Sequence, residues 1–375
     1  MPPRKANPLA RAVDLASFAN NLYVTRSNPV SLVHFVTNRC NARCSFCFID
    51  FENPDLGRDE LSLDEIDRLT LNLGSNLKNV NLTGGEPFAH KDILKITQSY
   101  FRNTDIESIF MTTNGSLPER LKAYMSALSD EFPDRKQFFS FSIDAIGEKH
   151  DQIRKINGLF DACLQSYRLT QSAGKNIIGS ISITVSPDNW HTALETYEVL
   201  IQDYGVKALT CVIVRDEGVF KTPEEVKKNI LSTYKEITER ISRDLISGRL
   251  GGYNNGSLQG RLMNQKNKIM YNVIRETYLV PEFKSQCYAG SLFGIIHSNG
   301  DVYPCEILDK KIGNLRDFDF DFMKLWQSQI SGDIRDFIRD TNCNCTYECA
   351  WSFNILANYQ YLPSMISGAL TRPKS

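Results

Sequence analysis

The sequence predicts an α/β protein with a parallel sheet, and two observations predict it. Six runs rich in β-branched and aromatic residues, Ser31 to Val36, Asn79 to Leu82, Ser108 to Thr112, Phe138 to Ile143, Ile177 to Val185 and Ala208 to Val214, are separated by stretches long enough for helical crossovers. Helix-start signals stand in those stretches: Ser62-Leu63-Asp64-Glu65 and Ser116-Leu117-Pro118-Glu119 both fit a capping box, the second with Pro near the first turn. Six βα units ending near Arg215 follow from this rhythm.

The remaining chain divides by pattern. Residues 1–28 form an N-terminal extension ahead of the core, which spans 29–215. Thr222-Pro223-Glu224-Glu225 then opens a long charged helix running to about Ser247, and Gly248, Gly251 and Gly252 break it. The Gly- and Asn-rich stretch from Gly251 to Gly260 reads as a surface loop or a mobile lid, and residues 216–284 as a bridge. A cysteine-bearing domain over 285–375 closes the chain. At 375 residues two units are expected, because single cores stop growing at roughly 250 to 300 residues.

Composition excludes several classes. With 42% hydrophobic and 23% charged residues the chain is neither disordered nor fibrous. A formal net charge of -1, from 43 Lys plus Arg against 44 Asp plus Glu, supplies no overall field for nucleic acid or an anionic membrane, so neither is expected as a partner. A signal peptide and an apolar run of membrane-spanning length are both lacking in the sequence, and a cytoplasmic location is expected.

Ten cysteines in such a chain point to metal ligands rather than disulfides. Three, Cys40, Cys44 and Cys47, fall within eight positions directly after the first expected strand, and five, Cys287, Cys305, Cys343, Cys345 and Cys349, lie in the last quarter. Cys163 and Cys211 stand alone and read as small buried hydrophobes. Soft thiolates suit an iron-sulfur cluster. A cubane takes four ligands, so three cysteines leave one iron open to a chelating small molecule. Structural zinc is the competing reading; it needs four closed protein ligands, which His34 or Asp50 would have to complete.

Cys40-x3-Cys44-x2-Cys47, with the aromatic Phe46 before the last cysteine, resembles the signature of the radical S-adenosylmethionine (SAM) superfamily. Further features arrive in that family's order. Gly84-Gly85-Glu86-Pro87 after the second strand resembles the motif whose backbone and Glu meet the amino group of SAM. Thr113 and Asn114, within Thr112-Thr113-Asn114-Gly115, are similar to the family's third-strand ending. Ser142 and Asp144 look like its ribose- and carboxylate-contacting positions; two apart on a strand, they are expected to face one side. Arg154 stands where relatives often place a cation for the methionine carboxylate, a group that a guanidinium grips bidentately.

Cys287-x12-Gly300-x4-Cys305 resembles the opening of SPASM and twitch domains, the C-terminal extensions that hold auxiliary iron-sulfur clusters. Asn299-Gly300 reads as a hairpin turn between Phe293 to Ile296 and Asp301 to Tyr303, and Gly313-Asn314-Leu315 and Leu325-Trp326 also match the spacing of those domains. Five cysteines rather than seven imply one auxiliary 4Fe-4S cluster on Cys287, Cys305 and Cys349, with Cys345 or Cys343 as fourth ligand. A zinc site would use the same four thiolates. Glu306 occupies a position where some relatives carry an acidic residue, a candidate general base.

The resemblance implies a partial (β/α)6 TIM-like barrel with a SPASM/twitch-like extension and an active site at the C-terminal ends of the strands. It also implies a SAM-binding 4Fe-4S cluster, SAM itself, an external reductant such as flavodoxin or ferredoxin, and a 5'-deoxyadenosyl radical that takes hydrogen from a substrate carbon. Oxidative modification, cross-linking or epimerisation would follow, the last needing a hydrogen donor such as Cys163 or Cys211. Peptides or proteins and sugar-like small molecules are both open as substrates, with a lean to the former. The roughly thirty residues before the first strand are too few for a separate leader-binding fold. An iron-sulfur electron carrier without SAM chemistry is the alternative, and it has no use for Gly84-Gly85-Glu86.

Overall fold

The computed structural model describes residues 8–216, 219–252 and 257–370. After helix α1 (Pro8–Asn20) come six parallel strands, β1 (Ser31–Thr37), β2 (Asn79–Gly84), β3 (Ser108–Thr113), β4 (Lys136–Ser142), β5 (Ile177–Val185) and β6 (Leu209–Ile213). The crossovers are α2 (Leu63–Leu71), α3 (Ile93–Asn103), α4 (Pro118–Glu131), the pair α5 (Glu148–Arg154) and α6 (Leu159–Gln171), and α7 (Ala193–Gln202). Each expected strand is present within two residues of its expected ends.

The helix starts divide. Ser62 forms its capping box, accepting from the Glu65 amide while Glu65 takes the Ser62 amide. At α4 the box is not made: Leu117 is the N-cap, and Pro118 alone presets the first turn. Gln98 and Arg102 of α3 both bond Glu131 at the far end of α4 and fix that neighbour.

The long charged helix is α8 (Glu224–Ile246), and α9 (Leu258–Tyr278) lies against it. The Gly- and Asn-rich loop is shorter than expected, because Ser257 caps α9 through the Gly260 amide and Gly260 is buried within the helix. Residues 253–256 of that loop lie outside the described residues.

Beyond α9 the expected hairpin is β7 (Phe293–Ile296) with β8 (Asp301–Tyr303), followed by β9 (Gly313–Asn314). A seventh parallel strand was not expected: β7 pairs with β1, from Ser31 with Phe293 to His34 with Ile296. One nine-stranded sheet, ordered β6-β5-β4-β3-β2-β1-β7-β8-β9, therefore runs through both parts of the chain. All seven residues of β1 are buried, as a central strand demands. Helices α10 (Phe322–Trp326), α11 (Gln329–Asp340), α12 (Glu348–Ala357) and α13 (Leu362–Leu370) finish the fold. Trp326 is fully buried against Gly294, where a Cβ would come within 2.6 Å of its ring.

Candidate active site

A cavity of about 400 Å³ opens at the C-terminal ends of the strands. Its rim is built from loops after β1, β2 and β3, and two glycines explain how they fit together. A Cβ on Gly84 would stand 2.0 Å from the Thr37 carbonyl oxygen, and one on Gly85 2.1 Å from that of Arg39. Only glycine lets the end of β2 close against the cysteine loop, and the Gly85 and Glu86 amides donate to those same two carbonyls at 2.8 and 2.9 Å.

Cys40, Cys44 and Cys47 all line this cavity, as do Phe46, Gly84, Gly85, Thr113, Asn114, Ser142 and Arg154. The Ala42 amide donates to the Cys40 sulfur at 3.3 Å, and a tight turn brings the Cys47 amide to the Cys44 carbonyl. Burial pushes the Cys40 thiol up to about 11 and raises Cys44 and Cys47 as well. Such thiols become thiolates on meeting metal. Among the described residues no three His, Cys, Asp or Glu side chains converge as a single ion requires. A cubane takes each thiolate on a different iron, and three thiols on one loop offer such a donor set.

Three expected contacts stand behind the wall instead of on it: Glu86, Pro87 and Asp144. Glu86 is 1% exposed, and its carboxylate accepts from the Phe88 amide at 3.0 Å, the Thr113 hydroxyl at 2.7 Å and the Asn114 amide at 2.7 Å. Burial holds its carboxyl above the usual range. The residue thus ties β2 to β3. Asp144 does not share a face with Ser142, because β4 ends at Ser142 and the chain then turns inward. Its buried carboxylate accepts from Arg154 at 2.7 and 2.8 Å and from the Thr184 amide at 3.0 Å. Arg154 is thereby fixed at the cavity, 5.9 Å from the centre of the Phe46 ring.

The C-terminal part supplies the roof. Glu306, Tyr347, Glu348 and Cys349 line the cavity together with Arg215 at the end of β6. Arg215 donates to Glu306 at 3.0 Å, the Tyr347 hydroxyl donates to the other carboxylate oxygen at 2.7 Å, and the guanidinium lies 4.9 Å from the Tyr347 ring centre. Cys287 and Cys305 flank the β7–β8 hairpin, and Cys343 and Cys345 lie between α11 and α12. Burial pushes Cys287 and Cys305 up to about 11 and Cys349, in the first turn of α12, up to about 12. The Tyr288 amide donates to the Asn354 side chain at 2.9 Å, pinning α12 to the Cys287 loop. Cys163 and Cys211 are fully buried and do not line the cavity.

Sequence reasoning missed Arg215, Tyr347 and the hydroxyls of Thr112, Ser140, Ser182, Thr184 and Thr210, all on the cavity. A signal for the hydroxyls exists: buried parallel strands usually read as continuous apolar runs, yet Ser and Thr alternate along β4 and β5.

Residues 35–200 match the radical SAM superfamily and residues 287–350 match the SPASM iron-sulfur cluster-binding domain, together more than half of the chain. The chain belongs to the radical SAM superfamily and carries a SPASM domain. It is 32% identical over 146 residues to GTP 3',8-cyclase of Mesorhizobium japonicum, 38% of this chain and 42% of that one. With GTP 3',8-cyclase of Clostridium perfringens it shares 31% over 157 residues, 41% of this chain and 46% of the relative. The match thus spans less than half the length of these relatives. Among solved structures, native anSMEcpe with bound AdoMet superposes with a TM-score of 0.59 at 18% identity, covering 91% of this chain and 97% of that chain. Streptococcus suis SuiB bound to precursor peptide SuiA gives 0.57 at 17% identity, covering 89% and 73%. These two likenesses concern the fold. No helix among the described residues is long and apolar enough to cross a membrane.

Proposed function

We propose that the protein is an enzyme that cleaves SAM reductively and uses the resulting radical to take hydrogen from a substrate carbon. The observation that carries this reading is the set of three thiols on one loop, lining a 400 Å³ cavity that Ser142 and Arg154 also line. Cys40, Cys44 and Cys47 would hold a 4Fe-4S cluster with one iron open, and when loaded this centre supplies the electron that breaks the sulfur-carbon bond of SAM.

The chain's own residues do the rest. Backbone groups of Gly84 and Gly85 and the side chains of Thr113 and Asn114 line the place for the methionine amino group. Arg154, oriented by Asp144, would pair with the carboxylate, and Ser142 with the ribose. The thiols of Cys287, Cys305, Cys343, Cys345 and Cys349 would provide four ligands for a single auxiliary 4Fe-4S cluster, an acceptor for the electron of an oxidised substrate radical. Glu306 would take the proton lost in that oxidation, relayed from its paired position beside Arg215 and Tyr347. A flavodoxin- or ferredoxin-type protein would deliver the starting electron.

A peptide or protein substrate is favoured over a nucleoside triphosphate. Of the two guanidinium groups on the cavity, Arg154 is assigned above to the methionine carboxylate and Arg215 already faces Glu306 at 3.0 Å, so neither is left to neutralise a phosphate chain. The deciding experiment uses oxygen-free, reconstituted and reduced protein with SAM. Formation of 5'-deoxyadenosine, lost in Cys47→Ala, supports the proposal; a brown, cluster-loaded protein that leaves SAM intact would be an electron carrier instead.

A further inference from the structure

Most α/β barrels fill their interior with layers of Val, Ile and Leu. Here the interior face of the strands carries short hydroxyl side chains at mid-depth. Thr112 pairs in register with Ser140, and Ser140 with Ser180. These side chains are too short to meet across the lumen. The space beneath them is a second cavity of about 210 Å³, and Asn81, Thr112, Ser140 and Thr210 line both it and the 400 Å³ cavity above. The lumen is therefore hollow through the depth of the sheet.

On the strand side its lower end is apolar. Phe110 and Phe138 stack with ring centres 4.4 Å apart and planes 7° from parallel, and Ile178 sits beside Phe138 in register. Helix α9 closes the far side through Asn267, Lys268 and Tyr271. Asn81, at the junction of the two cavities, has a buried side-chain oxygen with no hydrogen-bond partner among the described residues. A void of this size lowers stability, and larger side chains on β4 or β5 would remove it. For comparison, an engineered cavity of about 150 Å³ is enough to hold benzene.

We infer that the lower cavity is a specificity pocket for an apolar side chain of the substrate, up to a phenyl ring in size. The ring lies against Phe110, Phe138 and Ile178. The hydroxyl band and Asn81 hydrogen-bond the amide that links this side chain to the reacting carbon above. The inference rests on the reading that the upper cavity holds SAM and the reacting carbon, and it adds the class of group the substrate must bring.

The test uses the cluster-loaded protein with SAM, titrated with N-acetyl-L-phenylalaninamide and N-acetyl-L-alaninamide under ligand-observed NMR. At least about tenfold tighter binding of the phenyl probe is expected. Ser180→Phe fills the cavity and abolishes that preference, with circular dichroism and cluster absorbance as the folding control. Ile178→Ala enlarges the floor and moves the preference toward N-acetyl-L-tryptophanamide, which keeps the test decisive where the filled variant does not fold. Equal binding of the two probes by the native protein, or an undiminished preference in folded Ser180→Phe, overturns the inference. If native protein forms 5'-deoxyadenosine yet shows no preference, only the pocket is refuted. A preference without SAM cleavage refutes the radical reading and leaves the pocket standing.

Discussion

Arg154 and Asp144 form a buried ion pair, the guanidinium donating twice to one carboxylate oxygen at 2.7 and 2.8 Å, with side-chain exposures of 8% and 0%. Removing one partner of such a pair leaves an uncompensated charge and costs about 3–5 kcal/mol. Asp144→Asn is therefore expected to lower the thermal midpoint of the cluster-loaded protein and to weaken SAM binding, measured by equilibrium dialysis, by about tenfold or more. Arg154→Lys should rescue neither, since an ammonium cannot reproduce the fork. Native affinity in either variant would remove Arg154 from the site.

Substitution of Cys47 separates the two metal sites. In Cys47→Ala the iron content should fall by roughly half, as one of two cubanes is lost. The remaining absorbance belongs to the C-terminal thiols, and 5'-deoxyadenosine formation disappears. Complete loss of iron would mean that the C-terminal cysteines hold none.

Backbone crowding gives a third outcome. Gly85→Ala forces a Cβ to within 2.1 Å of the Arg39 carbonyl oxygen, whereas Gly205, at φ 68°, has nothing within 4 Å of a built Cβ. Gly205→Ala should cost only about 1–2 kcal/mol of left-handed strain. Gly85→Ala should cost more in urea denaturation and impair cluster assembly, because it pushes away the loop that bears Cys40.

Acid should destabilise the protein through His34. The ring is fully buried against the Tyr100 hydroxyl, 2.8 Å away, and burial lowers its pKa from 6.5 to about 3. The unfolded chain thus binds a proton between pH 6.5 and 3 that the folded one refuses. This contribution is fully present above pH 6.5 and drains away as pH falls toward 3. The urea midpoint should decline across that range, and His34→Gln, with no ring to titrate, should decline less. Equal slopes would point to other groups.

For Glu306 the informative comparison is with Tyr347. Glu306→Gln should still permit 5'-deoxyadenosine formation while product formation from substrate falls by about 10²-fold, the usual size of a lost general base. Tyr347→Phe removes one hydrogen bond to the carboxylate and should slow product formation less. Loss of SAM cleavage itself in Glu306→Gln would assign the residue to structure.

Much of the site was legible in the sequence because it is local. Three thiols within eight residues, and glycines forced by close backbone approach, leave marks in consecutive letters. The first six parallel strands were equally visible, since each is a short run rich in β-branched or aromatic residues between helical patterns. What escaped depends on where distant segments meet. Arg215 gains meaning only when Glu306 and Tyr347 arrive 91 and 132 positions later, and Asp144 turns inward because its strand ends two residues before it. The failed box at Ser116 shows the same limit: a fitting motif was overruled by a proline that sets the first turn unaided.

The pairing of β7 with β1 has a mechanical outcome. The cysteine-bearing tail cannot swing away from the rest, because shared hydrogen bonds splice it into the same ribbon that anchors the first thiol loop. Cutting the chain ahead of β7 would strip the neighbour from a strand whose every residue is shielded from water, and the shortened product should clump rather than survive as a lone catalytic half. The separation between the two thiol groups is accordingly built into the scaffold as a constant and is unavailable as a regulated variable.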